Sequence, residues 1–457
     1  MKQAVLCTEQ LEGNLRRFII FRLLYTARFY YPVFTVLFLD YGLTLEQFAI
    51  LNIVWALTIV LAEVPSGALA DIVGRKRLVV FAASLMVIEM GLIVFAPIGD
   101  SSILFFLFLG NRICSGLSEA AASGADEALA YDSLKALGRE DDWSKILVRT
   151  THFVSIGFII TMILGAFSYD PGLVNGLISS INSEWQLSAN MVMRLPVILT
   201  LISSIILLIV TLGFHEIEIE KDENTEVNKL IGKSLLDPFR KILVAGMWTF
   251  NHRFVLFVIL AALVLDSVGR QFAILASEYY RLIDIPVSWF GFIGAGVSLM
   301  GIGSAILSRY LVHNHSPFLN FMMLSGILML GLIGLGFAIP YYGVIFAVGA
   351  FAMMGMVSFQ SSYYINKEVD SSHRATVLSF KGLALNLGLG FASFLYTVYV
   401  ASLRAQQNGE LSEVLMREAI FTDALRVFPF YFLVLFIVLV LLGRIFMKPR
   451  NAVFIKR

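Results

Sequence analysis

Charged side chains interrupt the long apolar runs of this 457-residue sequence at several points. They are, in chain order, Arg28, Glu89, Arg112, Glu119, Asp266 and Arg270. A charge near the centre of a bilayer costs about 2.5–3.5 kcal/mol or more, so each should face an ion partner or a wet cavity. Arginine binds carboxylate and phosphate groups bidentately, and a desolvated carboxyl group can titrate near neutral pH. These residue types therefore predict two kinds of chemistry, anion binding and reversible protonation.

The apolar runs themselves predict the fold. Hydrophobic residues make up 58% of the chain and charged residues 15%, whereas soluble domains contain about 25% charged residues. Runs of about 20 apolar residues are long enough to cross the roughly 30 Å hydrocarbon core of a bilayer as helices. We predict an all-α membrane protein with twelve transmembrane helices. The predicted spans are 17–39, 46–70, 78–98, 102–130, 147–168, 191–214, 252–276, 286–309, 318–339, 341–365, 376–400 and 426–446.

The distribution of basic residues predicts the orientation. About 24 Lys and Arg residues fall in one set of connecting segments and about four in the other, so the positive-inside rule places both termini in the cytoplasm. The first apolar run follows a polar start without a signal-peptide cleavage pattern, so we expect a retained membrane helix. We expect a multi-pass protein of the plasma membrane, which is the inner membrane in a bacterium, and a monomer.

A long polar segment separates the sixth and seventh spans. It predicts an amino-terminal half at 1–214, a cytoplasmic linker at 215–250 and a carboxy-terminal half at 251–457. The linker is acidic over 215–224, and its part from 227 to 250 has the pattern of an amphipathic helix on the inner membrane surface. A solvated connector with no specific role is the alternative. A second amphipathic stretch, 409–422, is predicted outside the membrane.

The turn after the second span carries a specific motif. Its spaced residues read G-x-L-A-D-x-x-G-R-K and are Gly67, Leu69, Ala70, Asp71, Gly74, Arg75 and Lys76. This stretch, residues 67–76, resembles the signature loop of the major facilitator superfamily of transporters, which lies between the second and third membrane helices. The resemblance implies two six-helix halves and a secondary transporter that works by alternating access. Residues 67–76 are called the signature loop below.

The resemblance also implies that the signature loop is a gate, which locks the two halves in one conformation and releases them in another. Gly67 and Gly74 should permit close backbone approach and a positive φ. Asp71 should accept hydrogen bonds from a helix amino terminus or from Arg75, and Lys76 adds basic charge. The expected gating partners are Asp126, Glu127, Asp132 and Arg374. Positive-inside topology alone is the alternative; it explains the basic residues but not the glycines or the aspartate.

Spans one, four and seven line the central cavity in this superfamily, so the resemblance assigns their charges to cargo binding. The expected cavity residues are Tyr25, Arg28, Arg112, Asp266, Arg270, Gln360 and Asn386. For Arg112 the alternative is an interhelical ion pair with a structural role. Asp266 and Arg270 stand four residues apart, and the alternative is that they neutralise each other. Gln360 and Asn386 have the alternative of hydrogen bonding between helices.

The expected proton-coupling residues are Glu119, Asp266 and Glu89, although the third span, which carries Glu89, is usually more peripheral. Helical spacing predicts which charges share a face. The first predicted stripe, on span one, consists of Phe21, Tyr25, Arg28 and Pro32. The second, on span four with a seven-residue repeat, consists of Arg112, Glu119 and Asp126. The fourth run is also predicted to continue helically as far as Leu134, so its end should project into water.

The sequence lacks the motifs of an enzyme or a metalloprotein. Its two cysteines, Cys7 and Cys114, provide neither a disulfide framework nor a metal-ligand spacing. His313 and His315 have too few potential ligands beside them to form a metal site. No phosphate loop, metalloprotease helix or nucleophile elbow is present. We therefore expect no catalytic residue, no cofactor, no metal and no nucleic-acid partner.

We predict proton-coupled transport of a small organic solute with anionic or zwitterionic groups, with export slightly favoured by the superfamily resemblance. The coupling ion is a proton or another ion. The alternatives are an importer or uniporter of such a solute, a multidrug exporter, and a non-transporting membrane sensor. The glycine–proline motif of proton-driven drug exporters is missing from span five, where residues 157–165 contain no proline. Arg28 lies in span one, where those exporters often have an aspartate. Drug export is therefore only one of the possible functions.

Overall fold

The structure, a computed structural model, describes residues 8–99, 102–182, 184–216, 240, 244, 246–406 and 412–446. These residues form helices and no strand, as the composition predicts. The α-helices, numbered in chain order, are α1 (Thr8–Thr26), α2 (Phe34–Asp40), α3 (Leu45–Val73), α4 (Arg75–Val94), α5 (Ser102–Ala122), α6 (Ala125–Ala136), α7 (Trp143–Ser168), α8 (Pro171–Ile181), α9 (Ala189–Leu212), α10 (Arg253–Leu282), α11 (Phe290–Asn314), α12 (Pro317–Gly336), α13 (Val344–Glu368), α14 (Ser371–Gln406) and α15 (Glu413–Phe446).

The described residues cluster into two compact units. Unit 1 consists of those up to 216 together with Ile285–Ser298. Unit 2 consists of those within Arg240–Asp284 and from Leu299 onward. Eleven helices in the described ranges are long and apolar enough to cross a membrane, and they correspond to the second to twelfth predicted spans. The chain is therefore an integral, multi-pass membrane protein.

The first predicted span, 17–39, is not one helix. The helix α1 ends at Thr26, residues Tyr31–Val33 form a 3₁₀ turn, and α2 begins at Phe34. Pro32 has no N–H to donate to the carbonyl of Arg28, and that carbonyl accepts a bond from the N–H of Tyr31 at 3.1 Å instead. The predicted helical stripe through Phe21, Tyr25, Arg28 and Pro32 is therefore wrong, because the helix stops before Arg28.

Two neighbouring helices of unit 1 support the irregular backbone of this break. The N–H of Phe29 donates to the hydroxyl of Thr200 on α9 at 3.0 Å. The carbonyl of Phe29 points at Gly165 on α7, where a built Cβ would overlap the carbonyl oxygen. A glycine Cα–H can stand against a carbonyl oxygen at such a position. Irregular backbone is tolerated within a membrane only where protein groups satisfy it in this way.

A second break divides the predicted fourth span. The helix α5 ends at Ala122, and Gly124 adopts a left-handed conformation with φ of +77° before α6 begins at Ala125. The run is helical beyond Leu134, as predicted, but residues 123 and 124 divide it into two helices. The stripe predicted through Arg112, Glu119 and Asp126 is wrong, because the left-handed turn changes the direction of Asp126 relative to α5.

Both predicted amphipathic segments include residues outside the described ranges. Most of the linker helix predicted over 227–250 falls among them, and the structure describes residues 240, 244 and 246–250 of it. The stretch predicted at 409–422 begins outside the described residues, and its remainder belongs to α15, which continues without interruption from Glu413 to Phe446. The predicted start of the last span at 426 is therefore wrong, because the buried side chains of Ile420 and Phe421 extend the apolar face of that helix.

The contact between Phe29 and Gly165 gives a prediction. We expect Gly165→Ala to lower the melting temperature of the detergent-purified protein, because overpacking of a close contact costs about 1–3 kcal/mol. The matched control is Gly91→Ala on α4, where a built Cβ meets nothing within 4 Å. Alanine is a better helix former than glycine by about 1 kcal/mol, so this control should melt at the same or a higher temperature. Equal melting temperatures for the two variants would contradict the assignment.

Candidate functional site

The signature loop turns the chain between two helices of unit 1. The helix α3 ends at Val73 and α4 begins at Arg75, so Gly74 alone connects them. Its φ of +106° lies in the region that favours glycine, which confirms the expected positive φ at this position. Gly67 instead lies inside α3, and a Cβ built there meets nothing within 4 Å. The described residues thus show no close backbone approach at Gly67. The side chain of Asp71 lies outside the part of the chain that the structure describes.

One of the expected gating partners contacts the signature loop in unit 1. The guanidinium of Arg75 donates to the carbonyl oxygen of Ala128 at 3.0 Å and forms an ion pair with Asp132, both on α6. Arg374 lies on α14 in unit 2, where its guanidinium donates to the carbonyl oxygen of Val369 at 3.2 Å. Arg75 thus joins the start of α4 to the middle of α6.

Asp126 and Glu127 contact α1 instead of the signature loop. The carboxylate of Asp126 lies 2.5 Å from Nε of Arg22, and Glu127 forms a second ion pair with the same guanidinium. The expectation that these two acids pair with the signature loop is wrong, because the first turn of α6, after the break at Gly124, faces α1. Sequence reasoning missed Arg22 because nothing in the local pattern links it to α6.

A buried ion pair lies at the break in the first span. Nη1 of Arg28 is 2.6 Å from Oε1 of Glu89 on α4, and the exposed fractions of the two side chains are 3% and 0%. The same guanidinium nitrogen lies 3.3 Å from the hydroxyl of Tyr30. A charge in such surroundings is tolerated when it is paired and hydrogen-bonded. The structure therefore gives Glu89, expected to be peripheral, a central position in unit 1.

Arg112 lies nearby on α5 and has a different kind of environment. Its side chain is buried, with 4% exposed. Nε donates to the amide oxygen of Asn111 at 2.9 Å, and the guanidinium lies 5.1 Å from the ring centroids of both Phe34 and Phe38. Its Nη2 has no hydrogen-bond partner among the described residues. All of these contacts are with neutral groups, so the expected alternative of an ion pair is not what holds Arg112.

Asn111 connects Arg112 to the ion pair. Its amide nitrogen donates to the backbone carbonyl of Glu89 at 2.8 Å, while its amide oxygen accepts the bond from Arg112. Sequence reasoning did not select Asn111, although an asparagine directly before a mid-membrane arginine was a usable signal. Two buried arginines of unit 1, Arg28 and Arg112, are thus connected to one glutamate, Glu89.

Tyr25 and Glu119 extend this cluster along α1 and α5. The hydroxyl of Tyr25 is 3.0 Å from Oγ of Ser118, and its ring centroid is 5.5 Å from the guanidinium of Arg28. The neighbouring Glu119 is exposed, in contrast to the buried Glu89. Of the two glutamates in or next to this cluster, Glu119 is thus exposed and Glu89 is buried in an ion pair.

Unit 2 contains a separate polar cluster on α10 and α14. Arg270 forms an ion pair with Asp266 at 2.5 Å, which confirms the pairing expected from their spacing, and its Nη1 donates to the amide oxygen of Asn386 at 3.1 Å. The exposed fractions of Arg270 and Asp266 are 24% and 16%, so both side chains are partly exposed. Lys381 on α14 donates to Ser362 at 2.9 Å.

Gln360 on α13 forms no hydrogen bond with this cluster among the described residues. Its side chain is fully buried, and neither atom of its amide group has a hydrogen-bond partner among the described residues. Within the same residues no group of three or more His, Cys, Asp and Glu side chains is arranged to hold a metal ion.

The chain matches a known protein family and resembles several solved structures. A family model described as the Major Facilitator Superfamily matches residues 18–393. A crystal structure of the nucleoside transporter NupG is similar with a TM-score of 0.70 at 13% identity, over 95% of this chain and 99% of that one. A bacterial homologue of the human lysosomal transporter Spinster, in an inward-facing and unoccupied conformation, has a TM-score of 0.67 at 14% identity, over 99% and 100% of the two chains.

A crystal structure of a D-xylose–proton symporter is similar with a TM-score of 0.55 at 12% identity, over 93% of this chain and 96% of that one. At such identities the likeness shows a shared fold. No curated protein matches this sequence significantly.

The buried ion pair yields a testable prediction. Removing one partner of a buried pair costs about 3–5 kcal/mol, whereas replacing both with apolar residues is often neutral or stabilising. We expect Arg28→Met and Glu89→Met each to lower the melting temperature strongly, and the double variant to recover most of the loss. Glu119→Gln, which changes an exposed acid, is the control and should melt as the unmodified chain does. Additive losses in the double variant would show that the two side chains do not stabilise each other.

Proposed function

This chain belongs to the major facilitator superfamily and is a secondary transporter, and we propose that its cargo is a small organic solute with a carboxylate or phosphate group. A zwitterionic solute that carries such a group falls within this class. Transport proceeds by alternating access between two six-helix halves, residues 1–214 and 251–457, with the signature loop as the gate. The excess of Lys and Arg in one set of loops supports an orientation with both termini in the cytoplasm.

Arg112 carries the proposal. It is a buried guanidinium whose contacts are an amide and two phenyl rings, and its Nη2 lacks a hydrogen-bond partner among the described residues. Unit 1 also buries Arg28, but the single carboxylate of Glu89 is already bonded to it. An anionic group on the cargo would supply the charge that this environment lacks, and arginine binds such groups bidentately.

Arg270, in unit 2, is a second proposed binding residue for the anionic group. It is partly exposed, and its guanidinium is shared between Asp266 and Asn386. Protonation of Asp266 would release Arg270 from its ion pair and leave it free to bind an anionic group. Binding of a proton and binding of the anion would then favour each other, which is positive coupling between two ligands. Tyr25 and Gln360 are the remaining proposed cavity residues.

This coupling supports symport of the solute with protons over export. Glu119 and Asp266 are the proposed proton carriers, because both side chains are at least partly exposed and lie in or next to the polar clusters. Full burial and the bond to Arg28 favour a structural role for Glu89. The D-xylose–proton symporter, which has the same fold, couples its cargo to protons. The proposed protein is a monomer, and its membrane is the plasma membrane, which is the inner membrane in a bacterium.

The cargo class is tested in liposomes that contain the purified chain and have an imposed inward-directed proton gradient. The probes are radiolabelled succinate, glutamate and glucose 6-phosphate, with ethidium as a cation. We expect accumulation of at least one acid-bearing probe, and a loss of about 10–100-fold in kcat/KM for Arg112→Gln, because a bond to a charged group contributes about 1.5–3 kcal/mol. Arg149→Gln changes an exposed arginine on α7 and is the matched control. Accumulation of ethidium alone would overturn the proposal.

Proton coupling is tested with Asp266→Asn and Glu119→Gln, assayed with the acid-bearing probe that the unmodified chain accumulates. We expect each variant to reduce the dependence of uptake on the pH gradient, and the double variant to abolish it. Exchange of labelled for unlabelled probe at equal pH should persist, because it requires no net proton movement. Full pH dependence in the double variant would show that other groups carry the proton.

A further inference from the structure

The signature loop is held by a residue that lies outside its motif. The two carboxylate oxygens of Glu216, which follows α9, accept bonds from the backbone N–H groups of Arg75 and Lys76, each at 2.9 Å. These are the first N–H groups of α4, which have no carbonyl partner within their own helix. A carboxylate at a helix amino terminus is also favoured by the helix dipole. Glu216 is thus the acidic cap of α4, although it is 141 residues from Arg75 in the chain.

Gly74 makes room for this carboxylate. A Cβ built on Gly74 would lie 2.9 Å from Oε2 of Glu216 and 3.0 Å from its Cδ. The glycine of the motif therefore meets two requirements, its positive φ and the approach of Glu216 to the amino terminus of α4. The first requirement depends on the loop alone, whereas the second depends on a residue beyond α9.

The backbone before Glu216 is fixed to other helices of unit 1. The N–H of His215 donates to the amide oxygen of Asn14 on α1 at 2.9 Å, and the amide nitrogen of Asn14 donates to the carbonyl of His215 at 2.9 Å. That nitrogen also donates to the hydroxyl of Ser133 on α6 at 3.1 Å, and the Asn14 side chain is fully buried. Burial and the nearby cations of Arg17 and Lys76 lower the pKa of His215, which favours its neutral imidazole.

These contacts converge on Arg75 from two sides. Its backbone N–H is bonded to Glu216, and its guanidinium is paired with Asp132 on α6. Asn14 ties the residue before Glu216 to Ser133, which is the neighbour of Asp132 in α6. Movement of Glu216 would therefore change the position from which Arg75 reaches Asp132.

We propose that Glu216 is a positioning residue for the signature loop, which holds the start of α4 so that Arg75 pairs with Asp132. Because Glu216 is also at the start of the central linker, it connects that linker physically to the turn that the superfamily uses as a gate. The link between the turn and gating rests on the proposed function, whereas the contact itself does not. The competing explanation is that Glu216 only neutralises the basic run from Arg75 to Arg77, as any nearby acid would.

The test is limited trypsin digestion of the full-length protein in detergent, with mass spectrometry of the peptides that end at Arg75, Lys76 and Arg77. We expect Glu216→Gln to accelerate cleavage in this loop by roughly tenfold or more, because local opening becomes easier when two bonds to a carboxylate are lost. Glu216→Asp keeps the charge on a shorter side chain and should restore part of the protection. Glu218→Gln and Glu220→Gln remove the same charge from the same acidic segment and are the matched controls.

A second measurement separates positioning from general stability. Asp132→Asn and Glu216→Gln should accelerate cleavage by less in combination than the product of their separate effects, because both act on the position of Arg75. The melting temperatures of the variants confirm that the rest of the protein stays folded. Equal acceleration by Glu216→Gln and the two controls would overturn the proposal in favour of charge neutralisation. Independent effects of Asp132→Asn and Glu216→Gln would overturn it as well, and neither result requires a transported cargo.

Discussion

The ion pair between Arg28 and Glu89 is the interaction on which the organisation of unit 1 depends. Both side chains are almost completely buried among apolar helices, where either charge alone would be strongly destabilising. Arg28 meets its partner from an irregular stretch of backbone, so the fold also has to satisfy the break between α1 and α2. Thr200 and Gly165 do so from two neighbouring helices, as a bilayer requires. The helix that carries Glu89 is the same helix whose first turn ends the signature loop.

The signature loop shows how a short motif depends on the structure around it. Gly74 has a conformation that favours glycine, and Arg75 contacts α6 through its side chain. The motif does not contain the acid that caps α4, because Glu216 follows α9 and is 141 residues from Arg75 in the chain. The buried polar contacts of Asn14 hold the backbone of the preceding residue, His215. The turn between α3 and α4 is therefore a product of packing by α1, α6 and the end of α9 as well as of its own residues.

Several features were predictable because they depend on composition or on local spacing. The apolar runs predicted the all-α fold and the second to twelfth spans. A single apolar run in lipid can satisfy the hydrogen bonds of its backbone only as a helix. The motif gave the positive φ of Gly74. A spacing of four residues gave the pair of Asp266 and Arg270, because residues four apart are neighbours on one helix face. The first span was mispredicted because its apolar run conceals the effect of Pro32 on hydrogen bonding.

Which helix faces meet was decided by the tertiary structure. A membrane helix is apolar on most sides, so hydrophobic periodicity does not identify the face that is turned toward the protein. The pairing of Arg28 with Glu89 and that of Asp126 with Arg22 depend on which face each helix turns toward its neighbours. The contact of Glu216 with the start of α4 depends on the packing in the same way. The sequence thus determined which segments cross the membrane and which charges they carry. Only the packing of the helices determined the partner of each charge, because those partners are distant in the chain and meet through contacts that no local pattern encodes.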